Sequence, residues 1–158
     1  MRAAGSTAVI TMAGIARQLL DGAPDADPQA AAVARQMSVT GGDLRADHEW
    51  ARRLRAAGVP VILASDAGVR FTPFAGFLES LRCGIVALDV DAATAVELAT
   101  GAAAAALGLD EVGTLTPGKR ADLVVLDAVL APGSTQLGTV RQVRRDGVIV
   151  AQDGKVVW

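Results

Sequence analysis

The chain is poor in the residues that most often carry catalysis: one cysteine and one histidine among 158 residues. The lone cysteine, Cys83, excludes an internal disulfide and fits a reducing compartment. The lone histidine, His48, falls well short of a catalytic zinc site, which takes about three protein ligands, commonly including histidines. Positive charge is not in surplus either, since the net charge is −2. That argues against nucleic acid or an anionic membrane as a partner, because either needs clustered Lys and Arg. The densest basic group, Arg52, Arg53 and Arg55, falls on a helical pattern and reads as a solvated face. No window approaches the ~18 apolar residues of a membrane-spanning helix. The best run, LATGAAAAALGL at 98–109, is mostly alanine.

What is present makes a globular protein: 51% hydrophobic and 20% charged residues. The N-terminal MRAAGSTAVITMAGIA mimics a secretory leader, with one Arg before an apolar stretch that ends in small residues. The same residues suit a buried strand, and a cytoplasmic location is the expectation.

Along the chain, STAVITM (6–12) reads as a short buried strand, followed by apolar residues at helical spacing (Ile15, Leu19, Leu20). DGAPDADP (21–28) is turn chemistry, and Gln29–Met37 is helical by propensity. Asp43 can cap a helix over 44–57, with Leu44, Trp50 and Leu54 near one face and Gly58 and Pro60 as its stop. A strand over 59–65 and a helix from Phe74 to Arg82, ended by Gly84, come next. DVDAATAVELATGAAAAALGL then makes two short helices broken near Thr100-Gly101. Strand and helix alternating in this way predict a parallel α/β layer. After Gly113 the period becomes two: ADLVVLD, VRQVRR, VIVAQ and KVVW are strands, with hairpin signals at Asp146-Gly147 and Asp153-Gly154. There are no internal repeats.

Candidate chemistry centres on VPVILASDAG (59–68), an apolar run that ends on Asp66 and then Ala67-Gly68. A polar residue there lies on the C-terminal rim of a parallel sheet, where α/β folds place their sites. A carboxylate at that point can bind a metal or take a proton from a metal-bound water. It can equally cap the turn through nearby backbone amides, and position alone does not choose. Ala67 and Gly68 leave room for a ligand, and Arg70, with Phe71 and Phe74, follows in the loop where a substrate could be met.

The other motifs carry less. GTLTPGKR (113–120) matches G-x-x-x-x-G-K, but Arg120 replaces the magnesium-binding hydroxyl, Pro117 removes a donor and a strand follows, so it reads as a turn into the small sheet. His48 lacks a partner histidine at helical spacing and reads as a surface residue. Cys83 reads as a small apolar packer, and Ser65 lacks the G-x-S-x-G elbow.

Four segments, AGVPVILASDAG, ATAVELATGAAAAALGL, VGTLTPGKRADLVVLD and VRQVRRDGVIVAQDGKVVW, taken in order, resemble the C-terminal part of the amidohydrolase superfamily. Its imidazolonepropionase-like and Xaa-Pro dipeptidase-like members are the most similar. The resemblance implies the C-terminal fragment of a (β/α)8 TIM barrel: its last two strand–helix units, over 1–110, then part of a small antiparallel β-sandwich over 111–158. It implies a hydrolase of carbon–nitrogen bonds in amides or cyclic amides, with one or two divalent metals, usually zinc, and a small-molecule substrate. Asp66 matches the aspartate that binds the metal and shuttles the proton of the attacking water.

The family's His-x-His, bridging lysine or glutamate and later histidines have no match and would lie upstream of Met1. The expectation is therefore an incomplete barrel that does not retain metal by itself, and that is oligomeric or completed by a missing N-terminal segment. The competing reading is an inactive truncation that serves as a binding or interaction module.

Overall fold

Val61, Ile62 and Leu63 form the buried centre of the first part of the computed structural model, which describes residues 6–11, 44–68 and 73–157. The chain divides into two compact units, Met1–Asp89 and Val90–Trp158. In the first, strand β1 (Ala8–Thr11) pairs in parallel with β2 (Val61–Ala64), in register from Ala8↔Val61 to Thr11↔Ala64. A near-continuous apolar run such as Val61-Ile62-Leu63 is what a parallel strand covered on both faces requires. β1 is less enclosed than STAVITM suggests: Val9 is 54% exposed, and β2 is the only strand paired with it among the described residues. The segments at 13–20, 21–28 and 29–37 lie outside the described residues.

Helix α1 (Leu44–Ala56) ends where the sequence says it should. Gly58 takes φ 78 and donates its N–H to the Arg55 carbonyl at 3.0 Å. Its inward face is a correction. His48 and Ala51 are buried, whereas Trp50 is 61% exposed. At ~100° per residue Trp50 stands nearly opposite His48, so burying one turns the other outward.

After a 3₁₀ turn (Phe74–Gly76), helix α2 covers Phe77–Leu88 and runs straight through Gly84. The expected stop at Gly84 fails for a packing reason. A Cβ built on Gly84 would lie 2.7 Å from Leu63 Cδ1, so the glycine lets α2 press against β2 and does not end the helix. The helix closes instead at Asp89, left-handed at φ 52, whose N–H bonds the Ile85 carbonyl. Arg52 on α1 donates from Nη1 to the Ala87 carbonyl at 2.8 Å, satisfying a backbone acceptor in the last turn of α2.

In the second unit, α3 (Ala92–Ala99) and α4 (Gly101–Leu107) break at Thr100, as the sequence predicts. Asp91 caps α3, with Oδ1 accepting from the Thr94 N–H at 2.8 Å, and its Oδ2 accepts from the Gly133 N–H at 3.0 Å. Strands β3 (Leu123–Leu126), β4 (Val140–Arg145), β5 (Val148–Gln152) and β6 (Lys155–Val156) form an antiparallel sheet in that spatial order. Both hairpins hold an Asp-Gly pair with positive φ at both residues (Asp146 49 and Gly147 81, Asp153 47 and Gly154 77), as a type I′ turn demands.

GTLTPGKR is a turn into β3, an edge strand, and no helix follows it. Its first glycine serves packing: a Cβ on Gly113 would lie 2.6 Å from Ala104 Cβ on α4. Arg120 pairs with Asp122 at 2.8 Å and Asp146 at 3.3 Å, tying the start of β3 to the β4–β5 hairpin.

Candidate active site at the end of the second strand

Asp66 lies two residues beyond Ala64, the last residue of β2, at the end where β1 also finishes because the two strands run parallel in register. Its carboxylate is exposed and takes no hydrogen bond among the described residues. The Ala67 N–H donates to Ser65 Oγ at 3.2 Å, a turn that Ser65 closes on the amide two residues on. Ser65 carries the turn, and the Asp66 oxygens are open. That is a role for Ser65 that its failed elbow motif concealed, and the small polar residue just before Asp66 was the available signal.

Asp66 is left-handed at φ 51. Asp89, Asp146 and Asp153 share that conformation at φ 52, 49 and 47 in a helix cap and two hairpins, so the angle reports turn geometry and not stored strain for catalysis.

Of the other expected site residues, Ala67 is half-buried and Gly68 exposed, with φ 97. The ring of Phe74 lies over Gly68: a Cβ built there would meet Phe74 Cζ at 3.0 Å. Phe74 itself is 81% exposed. Arg70 and Phe71 lie outside the described residues.

His48 is a correction. It is 5% exposed, on the inward face of α1, and its Nε2 has no hydrogen-bond partner among the described residues. Burial lowers its pKa below 6.5, the nearby Arg52 guanidinium lowers it further, and Asp47 opposes both. A single histidine among polar neighbours reads as surface from sequence, yet one polar edge is tolerated in the core when the ring stays neutral. Cys83 is buried, as expected of an apolar packer.

The donor set decides how far metal chemistry can be taken. No three His, Cys, Asp or Glu side chains come together to hold an ion among the described residues. Asp66 is one hard oxygen donor, suited to zinc or another divalent cation as part of a set and insufficient as a whole site. These residues by themselves do not fit a resident metal.

Comparison with known proteins shows the family. Imidazolonepropionase of Salinispora arenicola is 39% identical over 112 residues, covering 66% of this chain and 27% of that protein. The Streptomyces griseus imidazolonepropionase is 38% identical over 112 residues, covering 70% and 28%. The chain thus spans little more than a quarter of the length of these relatives. Among solved structures, enamidase, described as a member of the amidohydrolase superfamily, matches with a TM-score of 0.51 and 28% identity over 70% of this chain and 32% of its own. A prolidase complexed with N-methylphosphonate-L-proline matches with a TM-score of 0.58 over 94% of this chain and 36% of its own; at 22% identity this shows a shared fold. The model of the amidohydrolase family matches residues 10–157, and the chain belongs to that family.

Proposed function

We propose that this chain carries the Asp66-bearing part of a metal-dependent hydrolase that cleaves carbon–nitrogen bonds in amides or cyclic amides. The observation that carries the reading is the open carboxylate of Asp66 on the rim beyond a buried parallel strand. The relatives named imidazolonepropionase and enamidase support the bond type. In this reading the pair β1–β2 with its helices is a piece of a (β/α)8 barrel, residues 1–110, and 111–158 is part of the small sandwich. Asp66 takes the proton of the attacking water and returns it to the leaving nitrogen, an exchange suited to an exposed carboxylate with open oxygens. A bound divalent cation, zinc in this reading, would supply polarisation of the scissile carbonyl and of water, with its remaining ligands from outside the described residues. The substrate is a small molecule, Ala67 and Gly68 border it, and Arg70 is a candidate for its charged groups. No helix among the described residues is long and apolar enough to cross a membrane, and the setting proposed is cytoplasmic. The chain works as an oligomer or with a further segment.

The second reading is an inactive remnant acting as a binding module. The coding frame upstream of Met1 separates the two. An open frame encoding His-x-His after a strand supports the hydrolase, and stop codons support the remnant. In the enzyme that contains this segment, Asp66→Asn lowers kcat by about 10²–10⁴-fold. An unchanged kcat removes Asp66 from the mechanism.

A further inference from the structure

Phe74 is a large apolar residue left 81% exposed, in a unit that buries the smaller Ile62, Leu63, Leu81 and Ile85. A single exposed apolar side chain is ordinary, but the placement of this one is not arbitrary. Its ring lies on the bare backbone of Gly68, where a Cβ would stand 3.0 Å from Cζ and 3.5 Å from Cε2. Gly68 is two residues from Asp66, and two residues of chain span at most ~7 Å, so the backbone beneath the ring lies close to the backbone of Asp66. The backbone that carries the ring is placed by its own element. Pro73, with φ −67, starts the 3₁₀ turn, a Cβ on Gly76 would touch the Pro73 ring at 3.5 Å, and the turn feeds α2, which Gly84 locks against Leu63 of β2. Asp66 follows β2, and Phe74 opens the 3₁₀ turn that leads into α2.

We propose that Phe74 is a specificity-determining residue: an apolar wall beside Asp66 that selects amides bearing a planar, apolar body next to the carbon–nitrogen bond. The proposal rests on Asp66 as the acid–base residue. Gly68 is required because a side chain there would lift the ring, and its φ of 97 suits glycine. The ring offers its face to a planar group, while the carboxylate meets the polar end of the same molecule.

The test uses the whole chain and two probes that share a primary amide and differ in body, benzamide and acetamide. Ring and amide NMR spectra are followed as each is added. Benzamide is expected to shift the Phe74 ring and the Gly68 amide, and to bind at least about fivefold more tightly than acetamide. Phe74→Ala is expected to weaken benzamide at least about fivefold, and Phe74→Leu, which keeps apolar bulk without the ring face, by less. An equal response to both probes, benzamide binding retained in Phe74→Ala, or shifts centred on Phe77 would overturn the proposal. Phe74 is exposed, so its variants keep the fold; should Phe74→Ala lose it, Phe74→Leu decides. Neither probe needs to be hydrolysed, so the wall and the chemistry fail separately. A lost benzamide response rejects the wall, whereas an unchanged kcat in Asp66→Asn rejects the acid–base role.

Discussion

Replacing Gly84 by alanine tests the contact that sets the position of the rim. In an exposed helix interior the change stabilises by about 1 kcal/mol, because alanine loses less backbone entropy. Here the new methyl would lie 2.7 Å from Leu63 Cδ1 and 3.1 Å from Cδ2, inside the 3.4–4 Å of ordinary contact. Leu63 is 4% exposed and has little room to retreat. Overpacking of this kind costs about 1–3 kcal/mol. The expected net effect is a destabilisation of about 0–2 kcal/mol, opposite in sign to propensity. Leu63→Ala alone costs about 2–5 kcal/mol through lost burial and a cavity. In that background the clash is gone and the methyl fills part of the hole, so Gly84→Ala becomes stabilising. The double-mutant cycle, read by urea unfolding with the m-value checked in each variant, should give a coupling of about 1–3 kcal/mol. If Gly84→Ala raises stability in the parent chain, and the two changes add within about 0.5 kcal/mol, the packing account of Gly84 is wrong.

Stability should depend on pH through His48. Its folded pKa lies below 6.5, so its contribution is complete above pH 6.5 and is lost as pH falls through the folded value. His48→Leu should flatten that limb of a Tm–pH profile between pH 8 and 5, and an unchanged slope would mean that another group is responsible. Asp91 acts at lower pH. Hydrogen bonding by the Thr94 side chain, then by the Gly133 and Thr94 backbones, holds its pKa at about 2 against 3.8. Its contribution is complete above pH 3.8 and is lost as pH falls through about 2; Asp91→Asn should remove this dependence in acid unfolding. Gly147→Ala places a Cβ at φ 81 in the β4–β5 hairpin. It should cost about 1–2 kcal/mol by thermal melting, while a neutral result would show that the turn can change type.

By itself the sequence determined most of the local structure, because the physics that decides it is local. The apolar run at Val61–Leu63, the stop at Gly58 and Pro60, the helix break at Thr100-Gly101 and both Asp-Gly hairpins follow from side-chain period and backbone preference. Asp66 was legible as a candidate because a carboxylate ending an apolar strand stands out. The tertiary structure decided what depends on which surfaces meet. Gly84 reads as a helix stop until Leu63 is seen against it, and His48 reads as solvated until the packing of α1 turns it inward. Gly68 lies beneath the Phe74 ring through a contact that no spacing rule encodes. Periodicity states which residues can share a face, and only the fold states what that face is pressed against.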